Sequence, residues 1–169
     1  MTDPSWITSA KAEIGVHEVG DNGGPDIKRY VQWSHTGAVG QPWCAIFANA
    51  MLEHNGFSGT RSPLARSFEH SDNFVKLSGP AYGCIVTFWR GSPGSGLGHV
   101  GFYMGERNGL ILTLGGNEGD MVKVEYLNSK AAHFGVSGYY WPKSAPLPEK
   151  IGALAPQMTE KGPGTGKVT

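Results

Sequence analysis

The apolar spacing of this chain changes partway along, and that change limits what it can fold into. Up to about residue 68, apolar side chains recur three and four positions apart, the helical period. From residue 84 onward they come in short β-branched and aromatic runs parted by turn residues. Asp3 and Pro4 open a first helix carrying Trp6, Ile7, Ala10 and Ile14, and Gly15 ends it. A glycine-rich loop at 20–24 follows, and Pro25 starts a second helix with Ile27, Tyr30 and Val31 on one side. Pro42 opens a third helix, and Ser62 with Pro63 a fourth that turns Leu64 and Phe68 inward. Strands are expected at 84–89, 99–104, 110–114, 121–126 and 138–141. Helices first and strands after predict an α+β domain, its helices packed on an antiparallel sheet of about five strands. That domain spans 1–143, and the Pro, Gly, Lys and Thr of 144–169 mark a tail or linker.

Basic and acidic residues balance at 14 each, so no basic stripe points to nucleic acid and no polybasic cluster to an anionic membrane. No run is long enough to cross a bilayer, and the start has neither a basic region nor an apolar stretch. A protein made in the cytoplasm and exported by other machinery is expected. No cofactor and no metal is expected, because HExxH and CxxC are missing and the histidines are scattered. The loop at 91–98 lacks the phosphate-binding GxxxxGK[ST] pattern, and no GxSxG elbow supports a serine hydrolase.

Chemistry is concentrated at Cys44. Placed in the first turn of the third helix, its thiol faces free N–H groups and the positive end of the helix dipole. Both favour a thiolate, and the same N–H groups suit a tetrahedral oxyanion. Phe47, Ala48, Met51 and Leu52 anchor that helix in the core, and Gly56 suits its stop. Cys84 is either structural or a bridge partner of Cys44.

A cysteine nucleophile needs a held base. Among His17, His35, His54, His70, His99 and His133, only His99 opens a strand, directly after the small-residue loop 91–98. Facing Phe102 with Leu114, Met104 with Leu112 and Glu106 with Leu110 buries the most apolar surface across the following hairpin. The loop is then Arg107-Asn108-Gly109, and Asn117 falls opposite His99. A two-residue loop would put Glu118 there instead but set Phe102 against Gly115. Asn117 is therefore expected to orient the ring of His99, although an Asn after Gly115 and Gly116 also suits a turn. Trp43, beside the cysteine, is expected to line the substrate groove. Arg66, with its fork of donors, is a candidate for a substrate carboxylate.

At these residues the chain resembles a family. Trp43-Cys44-Ala45-Ile46-Phe47-Ala48-Asn49, Gly98-His99-Val100-Gly101-Phe102 and Leu114-Gly115-Gly116-Asn117 are similar to the WCAxFVN, GHVGF and LGGNQ signatures of CHAP and NlpC/P60 cell-wall hydrolases of the short phage type. Glu13 to Val16, Ala65 to Phe68 and Gly138 to Pro142 extend the resemblance. Glu118 stands where that group often has Gln, and Phe68 where it has Trp. The resemblance implies a papain-like fold with Cys44 as nucleophile, His99 as base and Asn117 as third member. Trp43, Arg66 and Glu118 would contact substrate. It further implies hydrolysis of a peptidoglycan amide bond, by an amidase or a stem-peptide endopeptidase acting as a phage endolysin. Partners would be peptidoglycan, with holin-assisted release or an immunity protein. The alternatives are an inactive wall-binding module, a secreted antibacterial effector and a thiol acyltransferase.

Overall fold

The computed structural model describes residues 2–151. Three α-helices come first: α1 (Ser5–Ala12), α2 (Pro25–Ser34) and α3 (Cys44–His54). A short 3-10 helix (Ala65–Glu69) leads to β1 (Phe74–Lys76), β2 (Ile85–Arg90), β3 (Gly98–Arg107), β4 (Leu110–Glu118), β5 (Met121–Leu127) and β6 (Phe134–Pro142). The strands form one antiparallel sheet in the order β1-β6-β2-β3-β4-β5. The fold is α+β, as expected, with six strands rather than about five. The added strand, β1, has three residues at the sheet edge, too short to show alternation. Residues 144–151 of the expected tail follow β6 outside helix and strand, and 152–169 lie outside the described residues.

α2 opens at Pro25 as expected, but α1 and α3 start later than their prolines suggest. Pro4 is the N-cap of α1, and Asp3 caps nothing; its carboxylate instead bonds Lys11 Nζ at 2.7 Å. Pro42 precedes the N-cap of α3, which is Trp43, so Cys44 is the first helical residue. The expected fourth helix is only the 3-10 segment, with Phe68 buried and Leu64 exposed. At the far end of α3, Gly56 takes φ +84°, with Gly56 N–H donating to Glu53 O and Phe57 N–H to Leu52 O. That double bond pattern closes a helix on a left-handed glycine.

Residues Ala45 to Leu52 of α3 are all buried, so this helix is surrounded rather than amphipathic. Tyr30 of α2 meets Phe47 edge-on with ring centroids 5.2 Å apart and stacks on Trp43 at 6.0 Å. On the sheet side, Gly116 lets Phe47 approach; a Cβ there would lie 2.6 Å from that of Phe47. Each large apolar side chain fully buried in this way stabilises the fold by roughly 1.5–3 kcal/mol. The helix that carries the cysteine is thereby fixed against β3 and β4.

Two irregularities in the sheet decide what reaches the cysteine. Phe102 faces Leu114, as the apolar pattern predicts, but nearer the turn Gly105 faces Leu112 and Arg107 faces Leu110. The loop is therefore the two residues Asn108 and Gly109, both at positive φ (+53° and +76°), a favoured hairpin turn. A bulge between Tyr103 and Gly105 takes up the extra residue and restores the burial of Phe102. The second irregularity lies in β4, where pairing with β5 steps from Gly115–Lys123 to Glu118–Met121. One residue is inserted, and Asn117 absorbs it at φ +56°. Glu118 then occupies the place that strict alternation assigns to Asn117.

Candidate active site

Cys44 heads α3, whose first intrahelical bond runs from Phe47 N–H to Trp43 O. The N–H groups of Cys44, Ala45 and Ile46 thus have no partner within the helix. The thiol is partly buried and faces His99. Burial pushes its pKa up, but the hydrogen bond and charge of His99, with the N–H groups of Val100 and Ala45, outweigh it and hold the thiol below its ordinary value. Cys84 is a separate free thiol, so the two cysteines form no bridge.

His99 lies near the start of β3, opposite Phe88 of β2, with the two rings 6.2 Å apart. Its Nε2 is 2.8 Å from Glu118 Oε1, which leaves Nδ1 for the sulfur. Burial disfavours the charged ring, but Cys44 and Glu118 raise its pKa to about 10. Both shifts favour a thiolate–imidazolium pair over a neutral thiol and imidazole. Glu118 Oε1 also accepts from Thr113 Oγ1 at 3.0 Å. Room for this carboxylate comes from two glycines: a Cβ on Gly115 would lie 2.6 Å from Oε1, and one on Gly101 3.5 Å.

Asn117 is not the residue that orients His99. The left-handed conformation at that position turns the next side chain to the ring, so Glu118 takes this part. Glu118 is only 2% exposed and committed to His99, which removes it from substrate contact. Trp43 does not line a groove either. It is fully buried, and its indole N–H donates to Glu18 Oε1 at 2.9 Å. Glu18 Oε2 accepts from Asn22 N–H at 2.7 Å, so one carboxylate ties the glycine-rich loop to the residue before the cysteine.

Arg66 is also occupied. Nε and Nη2 hold both oxygens of Glu69 at 2.8 and 2.9 Å, Nη2 also reaches Ser137 Oγ, and Nη1 donates to Pro93 O. Its methylenes would lie 3.0 Å from a Cβ on Gly98, and that Cβ would also collide with Phe88 O. Arg66 fixes the loop that delivers His99 rather than presenting a free fork to a ligand. Glu18 meets Trp43 from 25 residues away, and Thr113 shares a face with Glu118 only because the inserted residue in β4 breaks its alternation, so neither has a short-range signature. The run Gly115-Gly116-Asn117 did carry a signal, since Asn after glycines marks a left-handed position.

Among the described residues, no three His, Cys, Asp or Glu side chains gather as a metal site, and no helix is long and apolar enough to cross a membrane. No family model, curated protein or solved structure matches the chain.

Proposed function

We propose that the protein is a cysteine hydrolase of peptidoglycan amide bonds, with a papain-like arrangement of its reacting groups. One observation carries this reading: a thiol at the head of a buried helix faces an imidazole whose far nitrogen is held by a buried carboxylate. A structural cysteine needs no such partner. The Cys44 thiolate attacks the amide carbonyl, and free N–H groups at the head of α3 hold the oxyanion. The His99 imidazolium gives its proton to the departing amine, whose C–N bond breaks. Neutral His99 then takes a proton from water, the resulting hydroxide adds to the thioester carbonyl and its C–S bond breaks, and the carboxylic acid product leaves and gives its proton to solvent as thiolate and imidazolium re-form. Glu118 holds the ring and stabilises its charge throughout.

The wall-polymer substrate rests on the resemblance of the three motifs, and an N-acetylmuramoyl-L-alanine amidase or a stem-peptide endopeptidase both suit the chemistry. Action on the wall outside the cytoplasm, as a phage endolysin, belongs to the same reading. Digestion of purified walls followed by mass spectrometry of the fragments tests it. Wild type should release new amine and carboxyl ends at one bond type, and C44A should release none. Wall binding without release by a folded wild type would favour an inactive module. Transfer to an added amine in place of hydrolysis would favour an acyltransferase.

A further inference from the structure

Glu118 has two oxygens, and only one has donors. Oε1 accepts from His99 and Thr113, whereas Oε2 is fully buried and receives no hydrogen bond. An unsatisfied carboxylate oxygen in such a place is costly. The side chain placed to reach it is another carboxyl. Glu125 of β5 lies directly opposite Thr113 of β4, so its side chain projects on the face that holds the Glu118 carboxylate. Glu125 is itself 6% exposed. Two buried carboxylates side by side repel, and neither supplies a proton while both are ionised.

We propose that Glu125 is a positioning residue for the candidate site: its carboxyl is protonated and donates to Oε2 of Glu118, keeping Glu118 aimed at His99. This rests on the reading of Cys44, His99 and Glu118 as the reacting set. The groups around Glu125 agree with the proton's place. Burial and the negative charge of Glu118 raise its pKa, as does hydrogen bonding between the two carboxyls. Lys123, 3.8 Å from Glu125 Oε1, and the more distant His99 oppose the rise without cancelling it. The chain of contacts then runs Cys44, His99, Glu118, Glu125, through α3, β3, β4 and β5. Without that donor the buried Oε2 would be left unpaired, Glu118 would be aimed less firmly at His99, and the imidazolium that supports the Cys44 thiolate would be weakened.

Two measurements that need no substrate test this. The first is the pH dependence of Cys44 alkylation by iodoacetamide in wild type, E125Q and E125M. Glutamine offers an N–H donor to Oε2, so E125Q should keep the wild-type midpoint. Methionine offers none, so E125M should shift the midpoint upward and slow alkylation at neutral pH by about tenfold or more, the scale seen for residues that orient reacting groups. The second is infrared difference spectroscopy at neutral pH, in which wild type should show a protonated-carboxyl stretch that E125Q lacks. An unchanged midpoint in E125M, or E125Q behaving like a folded E125M, overturns the proposal. So does a wild type without the band, or a band that survives in E125Q. If E125M does not fold, the infrared pair decides alone. Failure of the protein to cut walls would sink the proposed function and leave both measurements readable.

Discussion

Cys44 and Cys84 border the same apolar core, yet their settings are opposite. Cys84 is fully buried in the turn before β2, and burial pushes its thiol up to about 12 against the weak help of nearby backbone N–H groups. Cys44 also suffers burial, but it has an imidazole and the N–H groups of Val100 and Ala45, and its thiol moves down. Desolvation has the same sign at both sites. What differs is a charged partner, and that partner depends on Glu118, 74 residues from the cysteine in the sequence (118 − 44). Reactivity here belongs to the sheet that faces the helix more than to the helix alone.

The largest expected effect tests that contrast directly. Brief treatment of the native protein with iodoacetamide at pH 7 should label Cys44 and leave Cys84 untouched, read by mass spectrometry of peptides. A thiol with pKa near 12 holds about one thiolate in 10⁵ at that pH, so the rate ratio should exceed about 10³. The pH dependence has a defined sign. Labelling of Cys44 should rise with a midpoint below that of an ordinary thiol. Wall hydrolysis should rise with the same limb and fall again as His99 loses its proton near pH 10, because the leaving amine then lacks a donor. Denaturant should erase the difference between the two cysteines. Equal labelling of both in the native protein would remove the basis for the proposed chemistry.

The next effect separates two neighbouring residues of β4. E118Q keeps the shape of the side chain but removes the charge that supports imidazolium. The rate of wall hydrolysis should fall by about 10²–10⁴, the scale of losing the acidic member of a comparable triad. N117G should keep the rate within about threefold, because glycine takes the left-handed conformation without strain. N117A keeps the Cβ but loses the short polar side chain that makes Asn tolerant of that conformation, and should cost about 1 kcal/mol of stability, measured by urea unfolding. A severe loss in N117G with E118Q unaffected would return the orienting part to the amide.

Much of the site was legible because it rests on local patterns. Pro42-Trp43-Cys44 before an apolar run marks a helix head, and Gly56 marks its end. His99 after a small-residue loop marks a strand start. The facing of Phe102 with Leu114 follows from apolar burial alone. The errors have a common physical origin, which is that inserted residues break period two. Met104 and Asn117 are each an inserted residue, and each moves the side chains beyond it to the other face. The burial of Trp43 was hidden for another reason: its partner Glu18 is brought beside it by a loop whose path no spacing reveals. Arg66 is held by Glu69, three residues on, and its other acceptors, Pro93 O and Ser137, come from distant parts of the chain, so only part of its occupation was local.

The smallest effect concerns the silent cysteine. C84A should leave the alkylation midpoint of Cys44 and the rate of wall hydrolysis within about twofold of wild type. Cys84 lies in the turn that joins α1 to the sheet: Trp6 Nε1–H donates to Gly83 O at 2.8 Å, and Tyr103 N–H donates to Cys84 O. Those bonds use backbone oxygens and survive the substitution. What is lost is a buried sulfur, and the small cavity left behind should cost about 1–2 kcal/mol. For a chain of this size that lowers the Tm by a few degrees, roughly 2–4 °C per kcal/mol, in a thermal melt. A change in the reactivity of Cys44 would mean that the two thiols are coupled through the core. Their contrast would then reflect one shared environment rather than the presence or absence of a charged partner.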